Sequence, residues 1–206
     1  NMRKTVSFLL CSSSAEILIL MTALVLGLPL PLLALMILWI NLVIDGAITI
    51  PLIMEPKEDV MNRPPDKKDA SIVTKEMLKI LFFRVPIMAA VVLGIYVYKL
   101  SGGHSLEYIR TVAFTTLFVA QWASGMSSRS NTMSVFKGFF RNKYIIGSFV
   151  VGFALHLTVL YMPFLQKVFG TVPLTLFDWL QITFVGSLVL VAEEIKKFIF
   201  ARKRPR

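Results

Sequence analysis

Long apolar runs, separated by short polar or basic stretches, dominate the chain. About 20 helical residues rising about 1.5 Å each match a hydrocarbon core of about 30 Å. The pattern therefore predicts six membrane-crossing helices, at about 6–28, 32–54, 80–100, 106–127, 144–164 and 176–200. Pro29 and Pro31 mark a tight turn between the first two, and Ser101-Gly102-Gly103-His104 a turn between the third and fourth. The fourth run is the least apolar, rich in Thr, Ser and Gly with Gln121 inside it. The polar stretch 55–79 carries Glu55-Pro56 and Arg63-Pro64-Pro65, and it reads as an ordered or semi-ordered loop rather than a second domain. The expected fold is an all-α membrane protein, one domain over residues 1–206, built as a six-helix bundle.

Composition agrees: 56% of the residues are hydrophobic, 17% are charged, and the mean hydropathy is +0.72. A net charge of +10 raises nucleic acid as a partner, but the basic residues cluster between apolar runs and do not interleave with aromatics. With the N-terminus placed in the cytoplasm, all of the 22 lysines and arginines except Lys99, Arg110 and Lys167 fall on the cytoplasmic side. That bias predicts both termini and the loop 55–79 in the cytoplasm, in a multi-pass protein whose short loops suit a bacterial plasma membrane. Cys11 is the single cysteine, so no internal disulfide can form. The start at Asn1 raises the expectation of a piece of something longer.

Polar groups inside the apolar runs carry the candidate chemistry. Glu16 follows Ser12-Ser13-Ser14 in the first run, and Asn41 and Asp45 lie in the second. Counted from the cytoplasmic ends, both carboxylates sit about 14–15 Å deep. A buried aspartate costs about 2.5–3.5 kcal/mol on insertion scales, so it needs a partner, a proton or a cation. Ser13 and Glu16, and likewise Asn41 and Asp45, are spaced to share a helix face. These side chains offer oxygen without His or Cys, which favours Ca2+, Mg2+, Mn2+, Na+ or protons over zinc and copper. Gly46 and Pro51 predict that the second helix is partly unwound beside Asp45, freeing carbonyls as further ligands. Interhelical hydrogen bonding is the competing role for Glu16, Asn41 and Gln121. Glu193 and Glu194 read as an interfacial pair held by Lys196 and Lys197, His156 as a packing residue, and the tryptophans as lipid-facing or interfacial.

The run Trp39-Ile40-Asn41-Leu42-Val43-Ile44-Asp45-Gly46, then Glu55-Pro56 and Met61-Asn62-Arg63-Pro64-Pro65, resembles the sixth transmembrane segment and following loop of class II, calcium-pump-like P-type cation ATPases. Asn1-Met2-Arg3-Lys4 with Ser12–Glu16 resembles the fifth segment, and Phe177-Asp178-Trp179 through Glu193-Glu194-Ile195-Lys196-Lys197-Phe198 the tenth. The resemblance implies that Glu16, Asn41 and Asp45 are cation ligands, completed by a glutamate of the fourth segment. It places weaker ligands at Ser13, Ile44 and Gln121, where two-site pumps carry Asn, Thr and Glu. All three fall on one of two cation sites, so the chain resembles single-site pumps of the secretory-pathway kind.

The family's Asp-Lys-Thr-Gly phosphorylation motif does not occur in these 206 residues, nor does a Gly-rich phosphate loop. The expectation is therefore the ion-binding membrane half of an ATP-driven pump, most simply for Ca2+, with ATP and Mg2+ acting only in a full-length parent. Its partners would be the lipid bilayer, the fourth segment and, through the loop 55–79, the phosphorylation domain. A stand-alone secondary transporter or channel, and an inactive membrane remnant, are the alternatives.

Overall fold

The computed structural model describes residues 2–54, 74–129, 135 and 142–202. The first helix, α1 (Met2–Val25), is followed by α2 (Ala34–Trp39), a π-helical turn (Ile40–Ile44) and α3 (Asp45–Ile53) in one continuous rod. Next come α4 (Lys75–Ser101), α5 (Leu106–Ser128), α6 (Lys143–Tyr161), the short α7 (Pro163–Phe169) and α8 (Leu176–Arg202). No strand occurs among the described residues. Most of the loop 55–79 lies outside the described residues, and its last residues, Lys75–Lys79, already belong to α4.

Local sequence sets the boundaries. At the end of α1, Gly27 adopts φ +65°, Leu28 N donates to Ala23 O (2.9 Å) and Gly27 N to Leu24 O (3.1 Å). This paired closure satisfies carbonyls at the helix end and suits glycine at the left-handed position. The turn into α2 is then tied to the bundle, since Tyr96 Oη donates to Pro29 O (2.6 Å) and Arg110 Nε to Leu30 O (2.9 Å). The predicted fifth helix, 144–164, is interrupted: Met162 is extended (φ −86°, ψ 116°) and Pro163 opens α7. Proline has no N–H to continue a helix but fits a first turn. Thr74 and Ser105 cap α4 and α5 by accepting from Met77 N and Tyr108 N.

Five helical stretches are long and apolar enough to cross a membrane, Met2–Val25, Ala34–Ile53, Lys75–Ser101, Lys143–Tyr161 and Leu176–Ile199. At 23 residues α5 matches them in length but not in apolarity. Its place explains this, because it packs between α4, α8, α1 and α3 and buries nearly every residue from Thr111 to Ser128. Sealed from lipid, α5 can carry hydroxyls, provided they are bonded. Thr111 and Thr116 donate to the carbonyls of Glu107 and Val112 (2.7 Å each), and Ser128 to Ser124 O (2.9 Å).

Close approach at small residues fixes the centre. A Cβ on Gly186 of α8 would lie 2.6 Å from Val119 Cγ1 and 2.8 Å from Val119 Cβ on α5. Since Val119 Cβ cannot swing away, Gly186→Ala should overpack this contact by about 1–3 kcal/mol, outweighing the roughly 1 kcal/mol gain in helix propensity. Thermal unfolding in detergent should show the loss, and an unchanged or raised midpoint would refute the packing role.

Two charged clusters join α4, α5 and α8. At one end the buried Arg84 donates from Nε to Glu193 Oε1 (3.0 Å) and from Nη1 to Ser128 Oγ (2.6 Å) and Ser124 Oγ (3.3 Å). Glu193 also faces Lys196 Nζ at 3.8 Å and Ser127 Oγ at 3.5 Å, while Glu194 pairs with Lys197 at 3.4 Å. At the other end Lys99 Nζ reaches Asp178 Oδ1 (3.3 Å) and Tyr108 Oη (2.9 Å), and Tyr108 Oη donates to the same carboxylate. Glu193 is thus a buried partner of Arg84 as well as of Lys196.

Candidate cation site

Four stretches of helix converge on one buried polar cluster. Ser12 and Glu16 project from α1, four residues apart and therefore on one face. Asn41 comes from the π-helical turn, Asp45 from the first turn of α3 and Gln121 from the middle of α5. Asp45 is 2% exposed and Glu16 4%, whereas Ser12 and Gln121 are wholly buried.

The hydrogen bonds form one chain. Ser12 Oγ lies 3.1 Å and 3.0 Å from the two carboxylate oxygens of Asp45, to which it donates. Gln121 Nε2 donates to Ser12 Oγ (2.6 Å) and to Glu16 Oε1 (3.0 Å). Asn41 Nδ2 donates to Glu16 Oε2 (2.7 Å) and to Ile37 O (3.0 Å). Both N–H donors of Asn41 are thereby committed, which leaves its Oδ1 as the uncommitted atom of an exposed side chain. The two carboxylates expected at a common depth are thus linked through Ser12 and Gln121.

Charge separates this cluster from the two others. Glu193 meets Arg84 and Lys196, and Asp178 meets Lys99. Among the described residues, no lysine or arginine stands within ion-pair distance of Glu16 or Asp45. Among the described residues, the donors they receive are neutral hydroxyl and amide groups. Two acids held so far from water call for positive charge from outside the pair. Among the described residues no three His, Cys, Asp or Glu side chains gather into a metal cage, so a cation here would take amide, hydroxyl or further oxygens besides the two acids.

Three expectations need correction. Ser13 is exposed on α1 and lies outside the hydrogen-bonded cluster; Ser12 holds the place beside Glu16, because a spacing of four residues aligns better than a spacing of three. Gly46 and Pro51 do not unwind the second helix, as α3 runs unbroken from Asp45 to Ile53 and contains both. The distortion lies upstream, where Asp45 N bonds to Ile40 O across a widened turn that holds Asn41. Pro51 is accommodated by packing, being buried with its carbonyl accepting from Asn142 Nδ2 (3.0 Å). Trp122 is 3% exposed, edge-on to Phe149 at 5.0 Å, and not lipid-facing. His156 packs as expected, stacked on Phe118 at 4.2 Å with Nε2 3.3 Å from Thr115 Oγ1.

Ser12 is masked by its place beside Ser13 in a run of three serines, and the four-residue spacing to Glu16 is the signal that marks it. Ser12→Ala should lower stability by about 1–3 kcal/mol, since it removes the hydroxyl that serves both Asp45 and Gln121. Ser13→Ala should stay within about 0.5 kcal/mol. Paired unfolding curves in detergent decide, and equal losses would reject this assignment of faces.

Comparison with known proteins identifies the family. Residues 29–199 match the family described as "Cation transporting ATPase, C-terminus". The chain is 36% identical over 190 residues to a calcium-transporting ATPase of Bacillus subtilis, covering 91% of this chain and 21% of that protein. It is 34% identical over 203 residues to calcium-transporting ATPase 1 of Yarrowia lipolytica, covering 96% and 22%. It is 33% identical over 215 residues to the mouse calcium-transporting ATPase type 2C member 2, covering 100% and 22%. The chain therefore spans about a fifth of the length of these relatives. With a family match that reaches from the first inter-helix turn to the last turn of α8, the chain belongs to the cation-transporting ATPases, as their C-terminal membrane region.

Proposed function

We propose that this chain is the ion-binding membrane half of an ATP-driven cation pump and that Ca2+ is its cargo. Glu16, Asn41 and Asp45 replace water around the dehydrated ion, and a fourth membrane segment supplied elsewhere in the parent closes the site over the exposed Asn41. What supports the reading most is the contrast among buried carboxylates: Glu193 and Asp178 carry their own cations, whereas Glu16 and Asp45 have none among the described residues. The names of the relatives favour calcium over manganese, magnesium or sodium.

In this reading the chain crosses the bilayer six times, with α5 as the shielded central crossing and both ends in the cytoplasm, in keeping with the basic bias. A bacterial plasma membrane suits the short loops. ATP and Mg2+ act in the parent, where an aspartyl-phosphate stores the energy that exchanges inward- and outward-facing states. The segment 55–79 meets the phosphorylation domain. The full-length protein in sealed vesicles should accumulate 45Ca2+ only with ATP, and Glu16→Gln should suppress the uptake. Flux through the 206-residue chain alone in liposomes without ATP would favour a secondary transporter or channel instead.

A further inference from the structure

The end of the α4–α8 seam that carries Lys99 and Asp178 joins a polar cavity to an apolar groove. The groove, about 680 Å3, runs from Ile87 to Tyr98 on α4 and from Gln181 to Ala192 on α8. At about 1.5 Å per residue each flank spans about 16 Å, which is half of a hydrocarbon core of about 30 Å. The groove therefore has the reach of one leaflet. Gly94 lines its middle, and a Cβ added there would meet nothing within 4 Å.

The cavity, about 570 Å3, shares Tyr98 and Gln181 with the groove and is lined besides by Lys99, His104, Tyr108 and Asp178. Asp178, the acid among them, already accepts from Lys99, Tyr108 and Thr175. Lys99 gives two of its three N–H groups to Tyr108 Oη and Asp178 Oδ1, and the third has no acceptor among the described residues. Gln181 is the bare group at the junction. It makes no hydrogen bond among the described residues, and its carbonyl Oε1 is shut away from solvent. Such an acceptor is destabilising until a donor reaches it. Lipid chains alone would fill an apolar groove, but they offer nothing to Gln181.

We infer that this seam binds one phospholipid whose head group carries N–H or O–H donors, as ethanolamine does. One acyl chain lies in the groove, the phosphate accepts the spare Lys99 N–H, and the head group donates to Gln181 Oε1. This is the usual composition of a small-molecule site, mostly apolar with a few placed polar groups. Phosphatidylcholine meets the first two conditions and fails the third, because its quaternary nitrogen bears no proton. The lipid belongs to the non-cytoplasmic leaflet in the orientation proposed above, and nothing else in the inference rests on that reading or on the ion site.

The test is native mass spectrometry of the full-length protein in detergent, titrated with phosphatidylethanolamine or phosphatidylcholine of identical chains. Wild type should hold one phosphatidylethanolamine about fivefold more tightly than phosphatidylcholine, the worth of one net hydrogen bond. Gln181→Leu should bind both alike, at the weaker affinity. Gly94→Leu sends its side chain into the groove with no clash at Cβ and should lose the retained lipid of either kind. Equal affinities in wild type mean bulk lipid only and overturn the inference. A Gln181→Leu protein that keeps the preference overturns it too, as does a folded Gly94→Leu protein that keeps the lipid. Should Gly94→Leu fail to fold, Ala90→Leu, one turn away in the same groove, takes its place and is judged alike.

Discussion

Asp45→Asn in the full-length protein should abolish tight cation binding, weakening it at least about 100-fold, while the fold survives. The size follows from the cost of breaking a buried charge contact, about 3–5 kcal/mol, at about 1.4 kcal/mol per tenfold. Survival follows from the neighbours. Ser12 is the only described group that hydrogen-bonds the Asp45 carboxylate, and an asparagine Oδ1 still accepts its hydroxyl. Neutralising a side chain that is 2% exposed also removes the cost of carrying charge out of water. The midpoint of thermal unfolding without added cation should therefore hold or rise. Titration with 45Ca2+ and an unfolding curve on the same preparation separate the two effects. Near-normal affinity would remove Asp45 from the ion's coordination.

Arg84→Met should do the opposite, costing stability while leaving ion affinity within about threefold. Arg84 is 2% exposed and its bonds to Glu193, Ser124 and Ser128 unite three helices. Without it, Glu193 keeps only Lys196 at 3.8 Å and a long contact to Ser127. Stranding one partner of a buried pair costs about 3–5 kcal/mol. For a chain of this size that lowers the unfolding midpoint by about 6–20 °C. The double change Arg84→Met with Glu193→Gln should recover most of the loss, since neither buried charge is then left alone. A double variant no better than the single one would mean that Arg84 acts through packing of its stem rather than through its charge.

How far the sequence reveals these arrangements depends on the kind of signal. Helix positions follow from apolar length, because a bilayer imposes a minimum run, although the break at Pro163 interrupts the run expected over 144–164. The tight turn after α1 is legible in Pro29 and Pro31, although Gly27 makes the closure. Glu16, Asn41 and Asp45 stand out because a carboxylate in an apolar run is costly and therefore rare. The partners of Arg84 are not legible, as Glu193 lies 109 residues away and looks like part of a local charge pair. The polarity of α5 reads as a weak crossing, when its cause is a central position that only tertiary packing discloses. Gly46 and Pro51 mislead because each weakens an isolated helix, whereas here α1, α5 and α6 hold α3 in shape.

The ion pairs described at the two ends of α4, α5 and α8 divide the bundle mechanically. Among the described residues no ion pair fastens the α2–α3 rod or α6 to that trio. On the pump reading proposed above, the trio locked by these pairs would act as the stator and the rod as the part that shears along its apolar faces. On that reading, the movement that loosens the grip on an ion belongs to the rod that bears Asn41 and Asp45.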